Sequence, residues 1–193
     1  RWLSDWSSDV CSSDLRMVGD LEKLTKYESE NLILNKTSFD ISEVIRHIIQ
    51  NFEKDFMNKD IDIRFSGEEE LMVADKDKIS QVIINLLSNA QKYTSQGGIV
   101  EVMVKGANDI TEIIIKDTGK GIPPEDLPHI FERFYRADKS RNKQTGGAGI
   151  GLTIAKAIVE AHKGKILVQS NINEGTEFKI LFSKNEYKMQ NDI

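Results

Sequence analysis

Asp117-Thr-Gly-Lys-Gly-Ile122 joins a carboxylate to two closely spaced glycines, Gly119 and Gly121, directly after Glu112-Ile-Ile-Ile-Lys116. The β-branched run reads as a buried strand, so the acid stands at a strand end. Glycine permits positive φ and lets another group approach where a Cβ would clash. A carboxylate in that position accepts a hydrogen bond from an exocyclic amino group and repels a carbonyl oxygen. It would therefore prefer adenine to guanine. Taken by itself, the motif also reads as a tight turn with a solvated aspartate.

A second glycine cluster, Gly146-Gly-Ala-Gly-Ile-Gly151, runs straight into Leu152-Thr-Ile-Ala-Lys-Ala-Ile-Val-Glu-Ala-His162, where Leu152, Ala155, Ile158, Val159 and His162 follow helical spacing. A glycine-rich loop that opens a helix offers free N–H groups and the positive end of the helix dipole to an anion. A flexible linker is the plainer reading, but linkers seldom lead at once into an amphipathic helix. Upstream, the stretch from Asp75 to Thr94 carries an apolar stripe at Ile79, Val82, Ile83, Leu86, Leu87 and Ala90. Asn85, Asn89 and Lys92 fall at i, i+4 and i+7 on another face. Asparagine is a poor helix former, so two aligned on one face point to a task. Their amide oxygens suit Mg²⁺, which keeps waters and takes further ligands from phosphates; a merely solvated face is the alternative.

In this order the three stretches resemble the N box and the first and second glycine boxes of the GHKL ATPase superfamily. The form is that of the catalytic, ATP-binding domain of bacterial two-component sensor histidine kinases. Phe131-Glu-Arg-Phe-Tyr-Arg136 resembles the F box of those kinases, and Glu174-Gly-Thr-Glu-Phe178 their last glycine motif. Each box is short, but five in the same order over residues 75–182 make a specific signal. The resemblance extends from about Arg16 to Phe182.

What the resemblance implies is a Bergerat ATP-binding fold: a two-layer α/β sandwich whose mixed, mainly antiparallel sheet carries three helices on one face. It implies ATP and Mg²⁺ as cofactors, with the γ-phosphoryl group passing to a histidine on a dimerisation helix and then to an aspartate of a response-regulator receiver domain. The full-length parent would be a homodimer. Carried onto this chain, Asp117 reads adenine, Gly119 and Gly121 give room, and Ile122 closes that box. Asn85 and Asn89 hold Mg²⁺; Lys92 and Arg136 face phosphates and, with Asn89, are the implied catalytic groups. Tyr93 and Tyr135 pack near the nucleotide. Gly147, Gly149, Gly151 and Leu152 cradle the phosphates, and Thr176 lines the pocket floor. Ala148 stands where the family often has Thr or Ser.

One departure matters. The family's acceptor histidine lies in a His-Glu-type motif on the first helix of the dimerisation hairpin, and none of His47, His129 and His162 has that context. The chain thus reads as a catalytic piece without that helix. The rival readings are another GHKL-type ATPase, an anti-sigma serine kinase, or a non-catalytic nucleotide-binding scaffold; the Phe131–Arg136 motif and the intact Asn85, Asn89 and Asp117 speak against them.

The composition agrees with a soluble catalytic domain. The 193 residues are 39% hydrophobic and 30% charged, with a formal net charge of -5 and a pI near 5.3, which argues against nucleic acid as a partner. A single cysteine, Cys11, excludes an intrachain disulfide and fits a reducing compartment. No apolar run approaches the roughly 20 residues of a membrane span. The expectation is a cytoplasmic chain, compatible with a parent anchored at the inner face of the cell membrane.

The remaining elements follow from periodicity. Residues 1–15 form an atypical, Ser/Asp-rich segment that matches no part of the family pattern and reads as disordered or artefactual. Residues 16–31 turn helical and correspond to the end of the second dimerisation helix. Residues 32–183 are the expected catalytic domain, and 184–193 a polar tail. Within the domain, Asp40 is expected to cap a helix over 41–58 with Val44, Ile45, Ile48, Ile49 and Phe52 inside, leaving His47 on the surface. Short strands are expected at 61–65 and 71–74, an antiparallel hairpin at 99–105 and 110–116, and a closing hairpin at 166–170 and 176–182. His129–Tyr135 reads as a helical turn anchored by Phe131 and Phe134. The polar segment 137–148 has a lid's composition and should be mobile without ligand.

Overall fold

The structure, a computed structural model, describes residues 33–107, 109–136 and 149–184. The expectations for residues 1–31, for the segment 137–148 with Gly147, and for the tail beyond 184 lie outside the described residues.

Strand β1 (Lys36–Asp40) leads into helix α1 (Ile41–Asn58). Asp40 is the N-cap: its Oδ1 accepts from Ser42 N at 2.9 Å and also from Glu70 N at 3.0 Å. Val44, Ile45, Ile48 and Ile49 are buried, Phe52 is half-buried and His47 is exposed. Strands β2 (Asp62–Ser66) and β3 (Leu71–Asp75) precede helix α2 (Lys76–Tyr93). Asp75 caps α2 by accepting from Lys78 N. At the other end of α2, Lys59 Nζ donates to the carbonyls of Gln91 and Lys92 at 2.8 and 3.3 Å, a cation placed at the negative end of the helix dipole. All six residues of the apolar stripe on α2 are buried, and burying each large one contributes about 1.5–3 kcal/mol.

Strands β4 (Ile99–Ala107) and β5 (Ile110–Asp117) form the expected hairpin, with Val102 opposite Ile115 and Val100 opposite Asp117. Helix α3 (Gly151–Ala161) is followed by β6 (Lys165–Asn171) and β7 (Gly175–Ser183), the closing hairpin. The main sheet has the order β2-β4-β5-β7-β6, in which only the β2–β4 pair is parallel. A separate antiparallel pair joins β1 to β3.

Val100, Val102 and Val104 of β4, Ile113 and Ile115 of β5, and Phe178, Ile180 and Phe182 of β7 share one hydrophobic core with the apolar faces of α1, α2 and α3. The opposite sheet face carries ion pairs such as Lys179–Glu112 at 3.2 Å. This is the anticipated two-layer α/β sandwich with a mixed, mainly antiparallel sheet. The region 129–135 forms the expected turns, with Glu132 N donating to His129 O at 2.8 Å and Tyr135 N to Glu132 O at 3.4 Å, but its anchors differ from expectation. Ile130 is the buried anchor and Phe131 packs against the core, but Phe134 is 48% exposed. Its φ of 61° turns the backbone sharply and swings that side chain outward. No helix among the described residues is long and apolar enough to cross a membrane.

Candidate nucleotide-binding site

The end of β5, the polar face of α2 and the start of α3 converge on one cavity of about 360 Å³. Asp117 lies in its wall. Because β5 is a central strand, its C-terminal carboxylate is only 7% exposed. Burial pushes its pKa up; the backbone N–H groups of Gly119 and Thr176, which hydrogen-bond the carboxylate, pull the other way. Gly119 N donates to Asp117 Oδ1 at 2.8 Å. Gly119 itself does not line the cavity; a Cβ there would stand 2.6 Å from the carbonyl oxygen of Tyr93, so the space it leaves is taken up by the end of α2. Gly121 does line the cavity. Its φ is 71°, and a Cβ would fall 2.0 Å from Asn171 O, so the loop can pass between cavity and β6 only as glycine. Ile122 lies beside it in the wall, and Thr176 on β7 completes that end of the cavity.

The α2 side is formed by Asn85, Asn89, Lys92 and Tyr93, together with Gln81 and Ser88. These six fall on one helical face. Asn85 Nδ2 donates to Gly151 O at 3.0 Å, which ties α2 to the first turn of α3 and leaves the amide oxygen uncommitted by that bond. The Tyr93 ring is flanked by two ammonium groups, with Lys92 Nζ at 5.1 Å and Lys120 Nζ at 4.9 Å from its centroid. Gly149, Ile150, Gly151 and Leu152 bring the start of α3 to the cavity. Ile150 occupies the N-cap and supplies no side-chain hydrogen bond, so the cap residue itself does not compete for the N–H groups of the first turn.

Tyr135 and Arg136 line the cavity from the loop that follows β5. Gly149 has φ 73°, and a Cβ there would stand 3.0 Å from Phe134 C and Tyr135 O. The second glycine box therefore packs directly on the F-box backbone. Tyr135 Oη donates to Asp126 Oδ1 at 2.5 Å, and the Tyr135 ring lies 5.4 Å from that of His129. The Asp126 bond, reinforced by the neighbouring carboxylates of Glu132 and Glu125, pushes the Tyr135 phenol up from 10.0 to about 12. Alkaline titration of phenolate absorbance should therefore show one tyrosine ionising near 12, and Asp126→Ala should return it toward 10. An unchanged titration curve in Asp126→Ala would remove the Asp126 contact.

Every described residue implied by the resemblance, Gly119 excepted, thus meets at one cavity. Gln81, Ser88, Lys120, Ile130, Ile154 and Phe178 also line it and were not singled out from the sequence. Gln81 and Ser88 were findable by extending the Asn85/Asn89 face along α2; Lys120 sits inside the Asp117–Ile122 motif itself.

Residues 74–186 match the family described as histidine kinase-, DNA gyrase B- and HSP90-like ATPase. The chain belongs to that family. Among curated relatives of this ATPase domain, the sensor histidine kinase WalK of Bacillus subtilis (strain 168) is 39% identical over 168 residues, covering 84% of this chain and 27% of WalK. The sensor histidine kinase CusS of Escherichia coli O157:H7 is 35% identical over 166 residues, covering 86% of this chain and 34% of CusS. The chain thus spans about a quarter to a third of the length of these relatives. Among solved structures, histidine kinase ThkA in complex with the response regulator protein TrrA superposes with a TM-score of 0.77 at 26% identity, covering 97% of this chain and 53% of that one. The α/β sandwich described above is the fold of the ATPase family.

Proposed function

We propose that the cavity binds ATP with Mg²⁺, and that residues 32–183 are the catalytic domain of a sensor histidine kinase with residues 16–31 the remnant of its second dimerisation helix. One observation carries this reading: a buried carboxylate, Asp117, shares a single cavity with two asparagines and the uncapped start of α3. Asp117 receives the adenine amino group. The N–H groups at the start of α3, with Lys92 and Arg136, receive the phosphates. Tyr93, with the ammonium groups of Lys92 and Lys120 over its ring, and Tyr135, held by Asp126, flank the nucleotide.

The donor set fits Mg²⁺. Asn85 has its nitrogen engaged with Gly151 O, a bond that does not use its oxygen, and neutral amide oxygens suit a hard cation that draws its remaining ligands from phosphate and water. Asn85 and Asn89 would hold the ion, which when bound neutralises charge on the phosphates. The protein's own work is positioning and electrostatic stabilisation: Asp117 fixes the base, the start of α3 fixes the phosphate chain, and Lys92 and Arg136 balance its charge.

The γ-phosphoryl group then passes to a histidine on the parent's dimerisation domain and on to an aspartate of a response regulator. The names of WalK and CusS, and the complex of ThkA with TrrA, support that assignment. The parent works as a homodimer with this domain on the cytoplasmic side.

Asn89→Ala tests the metal role. It is expected to abolish the Mg²⁺-dependent part of ATP affinity and to spare binding measured in chelator. An equal loss with and without Mg²⁺ would make Asn89 a structural residue.

A further inference from the structure

Ser170, on β6, is absent from the cavity lining yet makes three hydrogen bonds directly beneath it. Its hydroxyl donates to Gly175 O at 2.8 Å, accepts from Ile122 N at 2.8 Å, and lies 2.9 Å from Thr176 Oγ1. A serine hydroxyl carries one proton and two acceptor lone pairs. The proton is committed to Gly175 O and one lone pair to the Ile122 N–H. The remaining lone pair faces Thr176, so in the Ser–Thr contact Thr176 must donate. The single proton of Thr176 is then directed away from the cavity, and the Thr176 hydroxyl meets a ligand with lone pairs only. An ionised Asp117 beside it is likewise an acceptor only.

We propose that Ser170 is a specificity-determining positioning residue: by fixing the direction of the Thr176 hydroxyl, it makes the polar floor acceptor-only where position 6 of a purine meets it, and so selective for a 6-amino group over a 6-carbonyl; the same floor set against N1 would instead favour the N1–H of the 6-carbonyl purine. The inference rests on the nucleotide reading of the cavity and adds to it. Asp117 supplies one acceptor; Ser170 converts an otherwise ambivalent hydroxyl into a second. Without Ser170, Thr176 can rotate and donate to a carbonyl oxygen. The bond from Ile122 N gives Ser170 a second, nonselective effect, since it also fastens the loop of the first glycine box, and its loss would weaken all nucleotides alike.

The two effects separate in a comparison of ATP with inosine triphosphate, which has a carbonyl at the position of the adenine amino group. Affinities of both are measured by calorimetry for the wild-type chain, Ser170→Ala, Ser170→Thr, Thr176→Val and the Ser170→Ala/Thr176→Val double variant. In Ser170→Ala the preference for ATP is expected to shrink by about three- to tenfold, the scale of one hydrogen bond. Ser170→Thr, which keeps the hydroxyl, retains the preference. In the Thr176→Val background, where no hydroxyl remains to be directed, Ser170→Ala leaves the ratio unchanged. An equal fall in both affinities in Ser170→Ala would overturn the proposal and leave Ser170 a purely structural residue, and a rise in the preference for ATP would overturn it by placing Thr176 against N1 rather than position 6. A wild-type chain that binds neither nucleotide would overturn the reading of the cavity and the inference with it.

Discussion

Incubated with radiolabelled ATP, the chain alone is expected to acquire no acid-labile label, whereas a separately supplied histidine-bearing dimerisation domain becomes labelled in its presence. Phosphoryl transfer requires an acceptor at near-attack distance from the γ-phosphate, and none of the three histidines meets this condition. His47 is exposed on α1, a helix that contributes nothing to the cavity. His162 is buried where α3 ends, with both ring nitrogens in use. Its Nε2 accepts from Asp75 N at 3.0 Å, so Nδ1 carries the proton and donates to Ile158 O at 2.8 Å. An eleven-residue helix also sets it on the order of 15 Å from the N–H groups at the start of α3. His129 has its ring 5.4 Å from that of the cavity-lining Tyr135, tilted by 34°, but its Nδ1 pairs with Glu132 Oε1 at 2.7 Å. Label on the chain alone that disappears in His129→Ala would refute the argument for a missing acceptor.

Asp117→Asn should separate stability from binding. ATP affinity is expected to fall by about ten- to a hundredfold, since hydrogen bonds to charged groups are worth roughly 1.5–3 kcal/mol. The melting temperature of the ligand-free variant at neutral pH should be no lower than that of the wild type. The sign follows from the raised pKa of Asp117, caused chiefly by burial. An acid whose pKa is higher folded than unfolded binds its proton more tightly in the fold, so its ionised form disfavours folding as pH rises through that interval. A neutral isostere removes this penalty. For the same reason, wild-type ATP affinity should decline as pH falls through the raised pKa. Calorimetric titration alongside thermal unfolding measures both effects. A strongly lowered melting temperature in Asp117→Asn would mean that the carboxylate serves the fold rather than the ligand.

The parts legible in the sequence were those with local causes. The stripe Ile79, Val82, Ile83, Leu86, Leu87 and Ala90 is buried as its spacing requires, and Asp40 caps the helix it precedes. The two hairpins follow from alternating strands joined by short turns. Strand partners distant in the chain were not legible. That β2 runs parallel to β4, and that β1 leaves the main sheet to pair with β3, depends on long-range packing that no window of residues records. Phe134 illustrates another limit: an aromatic in a short turn reads as an anchor, but the left-handed backbone at that residue exposes it while Ile130 takes the buried place. Ser170 was silent for a different reason. A serine in an alternating strand looks like surface, and its role depends on Ile122, Gly175 and Thr176 arriving around one oxygen.

The most direct test of the central reading is a calorimetric titration of the chain with ATP and with GTP, each in the presence of Mg²⁺. Asp117 in its buried wall predicts saturable one-site binding of ATP and markedly weaker binding of GTP. Equal affinities for the two, or no binding of ATP, would contradict it.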